Sequence, residues 1–264
     1  MSRADYRELT VVSMRAWTPN MVEVVVGGDE LSGFPTDAES GYVKLLLPRE
    51  GADDTPFDLR RAVKRSYTVR AFDPAKNELT LLFAKHDPCG PATRWMKGAQ
   101  VGDLVRITGP GYVKGLEPTA DWFLLAGDLT ALPAIAVLLE RLPADANGHV
   151  LLEVPGDADA VALRRPAGME IHWLASRDNG RSPLPDAVQA LDWPAGRVGV
   201  WVACEYTAMK SLREYLVSVR GVTRQQMYIS SYWKRGNSDE EHKVFKKAEA
   251  ARVEALEAAT SALR

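Results

Sequence analysis

Cysteine is nearly absent: among 264 residues only Cys89 and Cys204 occur. Two thiols cannot hold an iron–sulfur cluster or a four-cysteine zinc site, and they supply no disulfide framework. No metal ligands are expected. An excess of either charge is also lacking. The chain carries 33 Lys and Arg against 35 Asp and Glu, a formal net charge of −2. That balance argues against general nucleic-acid or anionic-membrane binding, while a local basic pocket stays compatible with it. No apolar run approaches about 18 residues, so no membrane span is expected. The opening MSRADYRELTVVSMRAW lacks the apolar core of a signal peptide. A cytoplasmic protein of a reducing compartment is the expectation. Missing too are an internal repeat and the G-x-G-x-x-G pattern, so no standard dinucleotide fingerprint supports the reading.

What is present is a 46% hydrophobic composition, enough for ordinary cores, in a chain long enough for two domains. The pattern changes near residue 117. Before it, β-branched and aromatic runs predict strands at Thr10–Met14, Val22–Val26, Tyr42–Leu47, Ser66–Phe72, Leu79–Ala84 and Leu104–Thr108. Turn-forming stretches separate them, and about six short strands so spaced predict an antiparallel barrel or sandwich. One short helix is expected at Pro91–Lys97, stopped by Gly98. After Pro118, apolar strands at Trp122–Ala126, Val150–Val154, Met169–Leu174, Val198–Ala203 and Met227–Ser230 alternate with helices at Ala131–Leu142, Leu184–Leu191 and Thr207–Val219. That alternation predicts a doubly wound α/β sheet buried on both faces, with ligands outside the carboxyl ends of its strands. The expected domains are therefore residues 1–117 and 118–237, with a helical extension at 238–264.

Two segments stand apart. Arg49–Lys64 reads as a polar loop. In the tail, Ser238 and Glu241 fit a capping box. They open an amphipathic helix through Phe245, Ala248, Leu256, Ala259 and Leu263.

Three segments carry chemistry. In Arg65-Ser66-Tyr67-Thr68, strand alternation puts Arg65 and Tyr67 on one face. A guanidinium can grip a pyrophosphate through paired hydrogen bonds, and the tyrosine offers a flat surface to an isoalloxazine. Thr68 adds a hydroxyl and a main-chain N–H near the reactive edge of such a ring. A half-buried strand with an exposed Arg fits the same four residues. Next comes His86-Asp87-Pro88-Cys89-Gly90-Pro91-Ala92-Thr93-Arg94-Trp95. Gly90 admits a close backbone, Pro91 suits a first helical position, and the free N–H groups of that helix start form a phosphate site. His86 either hydrogen-bonds the bound group or is simply solvated. Cys89 reads as a small loop residue rather than a redox thiol, with no activating charge identifiable. Third is the strand–turn–helix of Gly127-Asp128-Leu129-Thr130-Ala131, where a nicotinamide nucleotide would approach. It also fits an ordinary βα turn with Thr130 as N-cap.

A barrel followed by a parallel α/β domain is the layout of ferredoxin-reductase-type flavin reductases. The order RSYTVR, HDPCGPATRW, GDLTALPAI, VWVACEYTAMKSLREYL, SSYWKRG resembles the siderophore-interacting proteins, which are FAD-dependent ferric-siderophore reductases. The segments ELTVV, GGDELSGF and YVKLLLP fit as well, so the resemblance runs from about Glu8 to Gly236. It implies FAD on the barrel, held by Arg65, Ser66, Tyr67 and Thr68, with Tyr67 and Thr68 at the reacting ring. The FAD phosphates would lie near His86 and the loop Gly90, Pro91, Ala92 and Thr93. Trp95, with Asp128, Thr130 and Ala131, would close around the cofactor. NADH or NADPH would lie near Gly127, Arg177, residues 203–206 including Glu205, and Lys210. Lys210 and Arg213 share a helix face, which a solvated basic stripe would also explain.

The implied substrate is a ferric siderophore. Lys44 and Lys234 or Arg235 match basic positions that face an anionic chelate. Where relatives often carry a basic residue after Gly-Pro, this chain has Gly111, and Lys114 is the expected substitute. Leu129, Cys204 and Ser231 are further departures. The implied reaction passes a hydride from NAD(P)H to the flavin, then single electrons to Fe(III). A ferredoxin-like protein is an alternative electron donor. The rival readings are a general flavin reductase with another acceptor and a non-enzymatic siderophore-binding protein. In one branch of the family a C-terminal helix shields the flavin or positions substrate; a surface helix or dimer contact is the other reading.

Overall fold

The computed structural model describes residues 6–49, 57–86, 88–117 and 119–249. Asp87, Pro118, residues 50–56 of the polar loop, and Leu256, Ala259 and Leu263 of the tail lie outside the described residues.

Six strands come first: β1 (Arg7–Thr18), β2 (Met21–Gly27), β3 (Tyr42–Leu47), β4 (Val63–Asp73), β5 (Glu78–Ala84) and β6 (Leu104–Gly111). They close into an antiparallel barrel in the order β1-β2-β5-β4-β3-β6. Closure removes the unpaired edges that an open sheet would expose. Alternate residues fill its interior, among them Leu9, Val24, Val43, Leu45, Val69, Leu81 and Ile107. Helix α1 (Pro91–Gly98) follows β5 and packs Ala92 and Met96 into the same core.

The second half holds β7 (Trp122–Asp128), α2 (Leu132–Arg141), β8 (Asn147–Val154), β9 (Gly168–Ala175), α3 (Leu184–Gln189), β10 (Val198–Glu205), α4 (Tyr206–Ser218) and β11 (Met227–Trp233). All five strands are parallel, in the order β11-β10-β7-β8-β9. Every residue of β7 is buried, which explains its unbroken apolar run: helices cover both faces. The strand order reverses between β7 and β10, so the switch-point crevice opens beyond Asp128 and Glu205. Gly127 makes this turn possible. A Cβ there would stand 2.6 Å from Ala131 Cβ and 2.8 Å from the Ala203 carbonyl oxygen.

Element boundaries shift modestly from the sequence expectation. β1 and β11 run longer, because pairing rather than composition ends them, while α3 is shorter. α2 is buried on every side from Leu132 to Leu139, as befits a helix between two layers. It lies between the sheet and the barrel, where Glu140 pairs with Arg70 of β4 and Arg141 pairs with Glu39. A second tie is centred on buried Asp159. Asp159 accepts from the Thr18 hydroxyl at 2.5 Å, the Asn20 amide N–H at 2.9 Å and Asn20 Nδ2 at 2.7 Å. Burial alone would push the Asp159 carboxyl up, but these donors outweigh it and hold it below its ordinary value.

A helix over 239–249, α5, follows β11. Its start is the expected capping box: the Glu241 N–H donates to Ser238 Oγ, and the Ser238 N–H donates to Glu241 Oε2 at 2.7 Å. α5 bridges the two halves. His242 meets Ser231, Lys246 reaches Ser230, and Lys243 reaches the Lys64 carbonyl of β4. Among the described residues no helix is long and apolar enough to cross a membrane.

Candidate functional site

On β4, Arg65 and Tyr67 oppose Leu45 and Val43 of β3, while Ser66 and Thr68 oppose Lys44 and Tyr42. Arg65 and Tyr67 thus share one face, as expected. Ser66, Thr68 and Lys44 share the other. The Tyr67 ring stacks on Phe83 at 4.0 Å between centroids, and Phe83 in turn lies 5.6 Å from Trp95 of α1. Burial drives the Tyr67 phenol well above its usual range, so it stays neutral.

Arg65 is mostly buried, with 16% of its side chain exposed. Its guanidinium donates to Glu240 through both Nη atoms, at 2.5 and 3.0 Å, and lies 3.5 Å from Asp239. The first turn of α5 therefore seats a carboxylate in the Arg65 fork. That contact holds Glu240 below the usual carboxylate range.

Beside this strand, α1 begins without a side-chain cap: Gly90 precedes it and Pro91 opens it. With Pro at the first position, the amide N–H groups of Ala92 and Thr93 are the first that can face an anion. His86 lies 3.4 Å from the Thr93 hydroxyl, through either ring nitrogen. One revision concerns Cys89: Lys97 Nζ stands 3.0 Å from its sulfur. These residues are eight apart, and only the loop and two turns of α1 bring them together.

At the carboxyl edge of the sheet, Asp128 is buried and accepts from the Thr130 N–H at 2.9 Å, the Thr130 hydroxyl at 2.5 Å and Trp233 Nε1 at 2.7 Å. Desolvation pushes its carboxyl up, against the pull of these donors. The N-cap of α2 is Ala131, not Thr130, because the Thr130 hydroxyl turns back to Asp128. Glu205 caps α4 through the Thr207 and Ala208 N–H groups, and its other oxygen accepts from the Arg235 N–H at 3.2 Å. Lys234 lies over the Tyr206 and Phe245 rings. Arg177 pairs with Asp186 at 2.7 Å, and Lys210 is exposed on α4. Arg213 is half-buried and donates to the Ile229 carbonyl.

Lys114 does not join this group. Its ammonium donates to the Arg224 and Gln225 carbonyls at 3.2 and 2.8 Å, before β11 begins, whereas Lys234 follows its end. Those ends are about 20 Å apart along the strand. The departure at Gly111 has a physical cause. A Cβ there would lie 2.3 Å from Tyr42 Cζ, so the tyrosine ring occupies the space a longer residue needs. Trp233, Glu240 and Tyr42 contact the candidate positions Asp128, Arg65 and Gly111, and sequence reasoning missed them. Trp233 and Tyr42 had a signal, as parts of the YWKRG and YVKLLLP motifs; Glu240 had none.

The barrel-side groups fit a flavin dinucleotide. The Arg65 fork already binds a carboxylate, Tyr67 presents an aromatic plane, and the start of α1 is uncapped. A closed barrel with this strand, coupled through α5 to a parallel sheet with its switch point near Asp128 and Glu205, defines an FAD-binding flavoprotein of the ferredoxin-reductase architecture. Residues 10–114 match the siderophore-interacting FAD-binding domain, and residues 120–236 match the siderophore-interacting protein domain. The chain belongs to the siderophore-interacting protein family. It is 32% identical over 253 residues to the ferric vibriobactin reductase ViuB of Vibrio cholerae, covering 91% of this chain and 93% of ViuB. The crystal structure of SipS, a siderophore-interacting protein from Aeromonas hydrophila, superposes with a TM-score of 0.83 at 29% identity, covering 94% of this chain and 98% of SipS. A siderophore utilization protein from T. fusca gives 0.75 at 36% identity, covering 89% and 94%.

Proposed function

We propose that the protein is an NAD(P)H-dependent ferric-siderophore reductase. Bound FAD supplies the exchange between a two-electron nicotinamide donor and one-electron ferric iron. The chain's own residues bind and orient. Arg65 takes one phosphate of the FAD pyrophosphate in its fork, and the Ala92 and Thr93 N–H groups with Gly90, Pro91 and His86 take the other. Tyr67, backed by Phe83 and Trp95, supplies the flat wall for the ring, and Ser66 and Thr68 border it. Asp128, fixed by Thr130 and Trp233, shapes the opposite wall beside Ala131. The nicotinamide nucleotide enters at the switch point, beside Gly127, Glu205, Arg177 and Lys210.

Ferric siderophore is the substrate in this reading, drawn by Lys44, Lys234 and Arg235. Its reduction weakens the hold of hard oxygen donors on iron. The observation that carries the proposal is the Arg65 fork, aromatic Tyr67 and uncapped α1 start on one side of the barrel. The ViuB relative, named for reduction of a ferric siderophore, supports the choice of acceptor. Lys114, held at the far end of β11, contributes only if it leaves its carbonyl partners.

Fe(II) release tests the proposal. FAD-loaded protein, NADH or NADPH, a ferric siderophore and a ferrous-specific dye are mixed. Dye development that requires protein, flavin and nucleotide together is the expected result. Release that needs a reduced ferredoxin instead of either nucleotide would replace the donor. No release from any ferric chelate would overturn the reading.

A further inference from the structure

The chain has four histidines, and two of them meet at a place the proposed reaction does not use. His149 lies at the amino end of β8, directly opposite Glu170 of the edge strand β9, and His172 follows two residues along β9. A strand's side chains alternate, so Glu170 and His172 point to the same face, and the register puts His149 there too. His149 Nδ1 lies 3.2 Å from His172 Nε2 and 3.6 Å from Glu170 Oε2, and the last two atoms are 3.9 Å apart.

Only the shortest of these separations can be a hydrogen bond; 3.6 and 3.9 Å are too long. The three atoms instead surround a common point. A triangle with these sides has its centre about 2.1 Å from each corner, within the range of zinc–imidazole and zinc–carboxylate bonds. The three donor atoms all lie within 4.8 Å of one another. Trp122 packs edge-on to His149 at 6.4 Å between ring centroids, which restrains the imidazole plane. His149 is the most enclosed, with 18% of its side chain exposed, whereas Glu170 is 68% exposed. The outer side of the triangle is therefore open to water, which can complete a four- or five-coordinate shell.

We propose that His149, His172 and Glu170 form a binding site for one divalent first-row transition ion, of which Zn(II) is the probe. Two imidazoles and a carboxylate, with no thiolate, suit the borderline ions rather than Ca(II) or Mg(II). The site lies at the amino end of the sheet, away from the switch-point crevice, and it does not depend on which electron acceptor the protein uses. Its effect on the fold is to clip edge strand β9 to β8 through side chains.

The test is Zn(II) titration of the full FAD-loaded chain by calorimetry, together with Cu(II) electron paramagnetic resonance on the same preparations. One equivalent of Zn(II) should bind. His172→Gln and the conservative surface change Glu170→Gln should each weaken binding by about tenfold or more, and His149→Gln with His172→Gln should abolish it. The flavin absorbance spectrum reports that each variant is folded. Bound Cu(II) should show coupling to two imidazole nitrogens, falling to one in His172→Gln. The proposal is overturned if wild-type protein shows no saturable one-equivalent uptake. It is equally overturned if the double variant binds as tightly as wild type, or if the copper spectrum lacks imidazole coupling. Glu170→Gln keeps the question decidable should both histidine variants fail to fold.

Discussion

Replacing Glu240 with Gln should tighten FAD binding, although it removes an ion pair. The Arg65 fork can hold one bidentate anion at a time, and in the structure Glu240 holds it. A pyrophosphate must displace that carboxylate. Glu240 is 57% exposed, so solvent screening limits the pair to about 1 kcal/mol at most. Removing the competitor should therefore strengthen FAD affinity by roughly two- to fivefold. Arg65 itself is largely buried, and charge-assisted bonds to phosphate are worth about 1.5–3 kcal/mol. Arg65→Ala should weaken FAD by roughly 10- to 150-fold on that scale. The decisive variant combines both. Once Arg65 is gone, Glu240→Gln should change nothing, because the competition has no object. Titration of flavin-free protein with FAD, followed by fluorescence quenching, measures all four affinities. The reasoning fails if Glu240→Gln loosens FAD, or if its effect survives in the Arg65→Ala background.

Asp159→Ala should cost about 2–4 kcal/mol, since it strips a buried Thr18 hydroxyl and Asn20 N–H groups of their acceptor; urea unfolding measures it. Because the Asp159 carboxyl is held below its ordinary value of 3.8, its stabilisation is complete above that pH and fades as pH falls through the lower folded value. The variant should therefore lose that part of the acid slope seen in wild type. Trp233→Phe deletes a donor to buried Asp128 and should destabilise by about 1–2 kcal/mol. The raised pKa of Asp128 means its ionisation opposes folding, and Trp233 donates to the ionised form, so the loss in melting temperature should grow as pH rises through the raised folded value. Gly111→Arg should lower the melting temperature by a few degrees because Tyr42 must swing away. Adding Tyr42→Ala should restore it and, on the proposed substrate geometry, increase affinity for acidic ferric siderophores over the parent protein.

Much of the architecture was legible because burial writes itself into composition. The unbroken apolar runs of β7 and β10 are what a sheet covered on both faces requires, and the alternating runs before residue 117 are what a barrel with one wet face requires. The Arg65 and Tyr67 pairing was legible from a period of two. What stayed hidden depends on contacts between distant segments. Nothing local in Glu240 says that it will meet Arg65, 175 residues away, and nothing in Asp159 announces Thr18. His149 and His172 become a pair only through the β8–β9 register. Gly111 showed as a departure from the family pattern, but its reason needed the Tyr42 ring. Thr130 fits an N-cap by type; its hydroxyl instead serves Asp128, a competition between two acceptors that residue type alone does not rank.

The most direct measurement of the central claim is anaerobic. The FAD-loaded protein is exposed to NADH and to NADPH in separate cuvettes, and then to ferric siderophores of differing charge. The account predicts that at least one nucleotide bleaches the flavin band at a rate that saturates with nucleotide concentration. A ferric siderophore should then restore the band while Fe(II) accumulates in stoichiometric proportion. A flavin that either nucleotide bleaches but no ferric chelate reoxidises would contradict it.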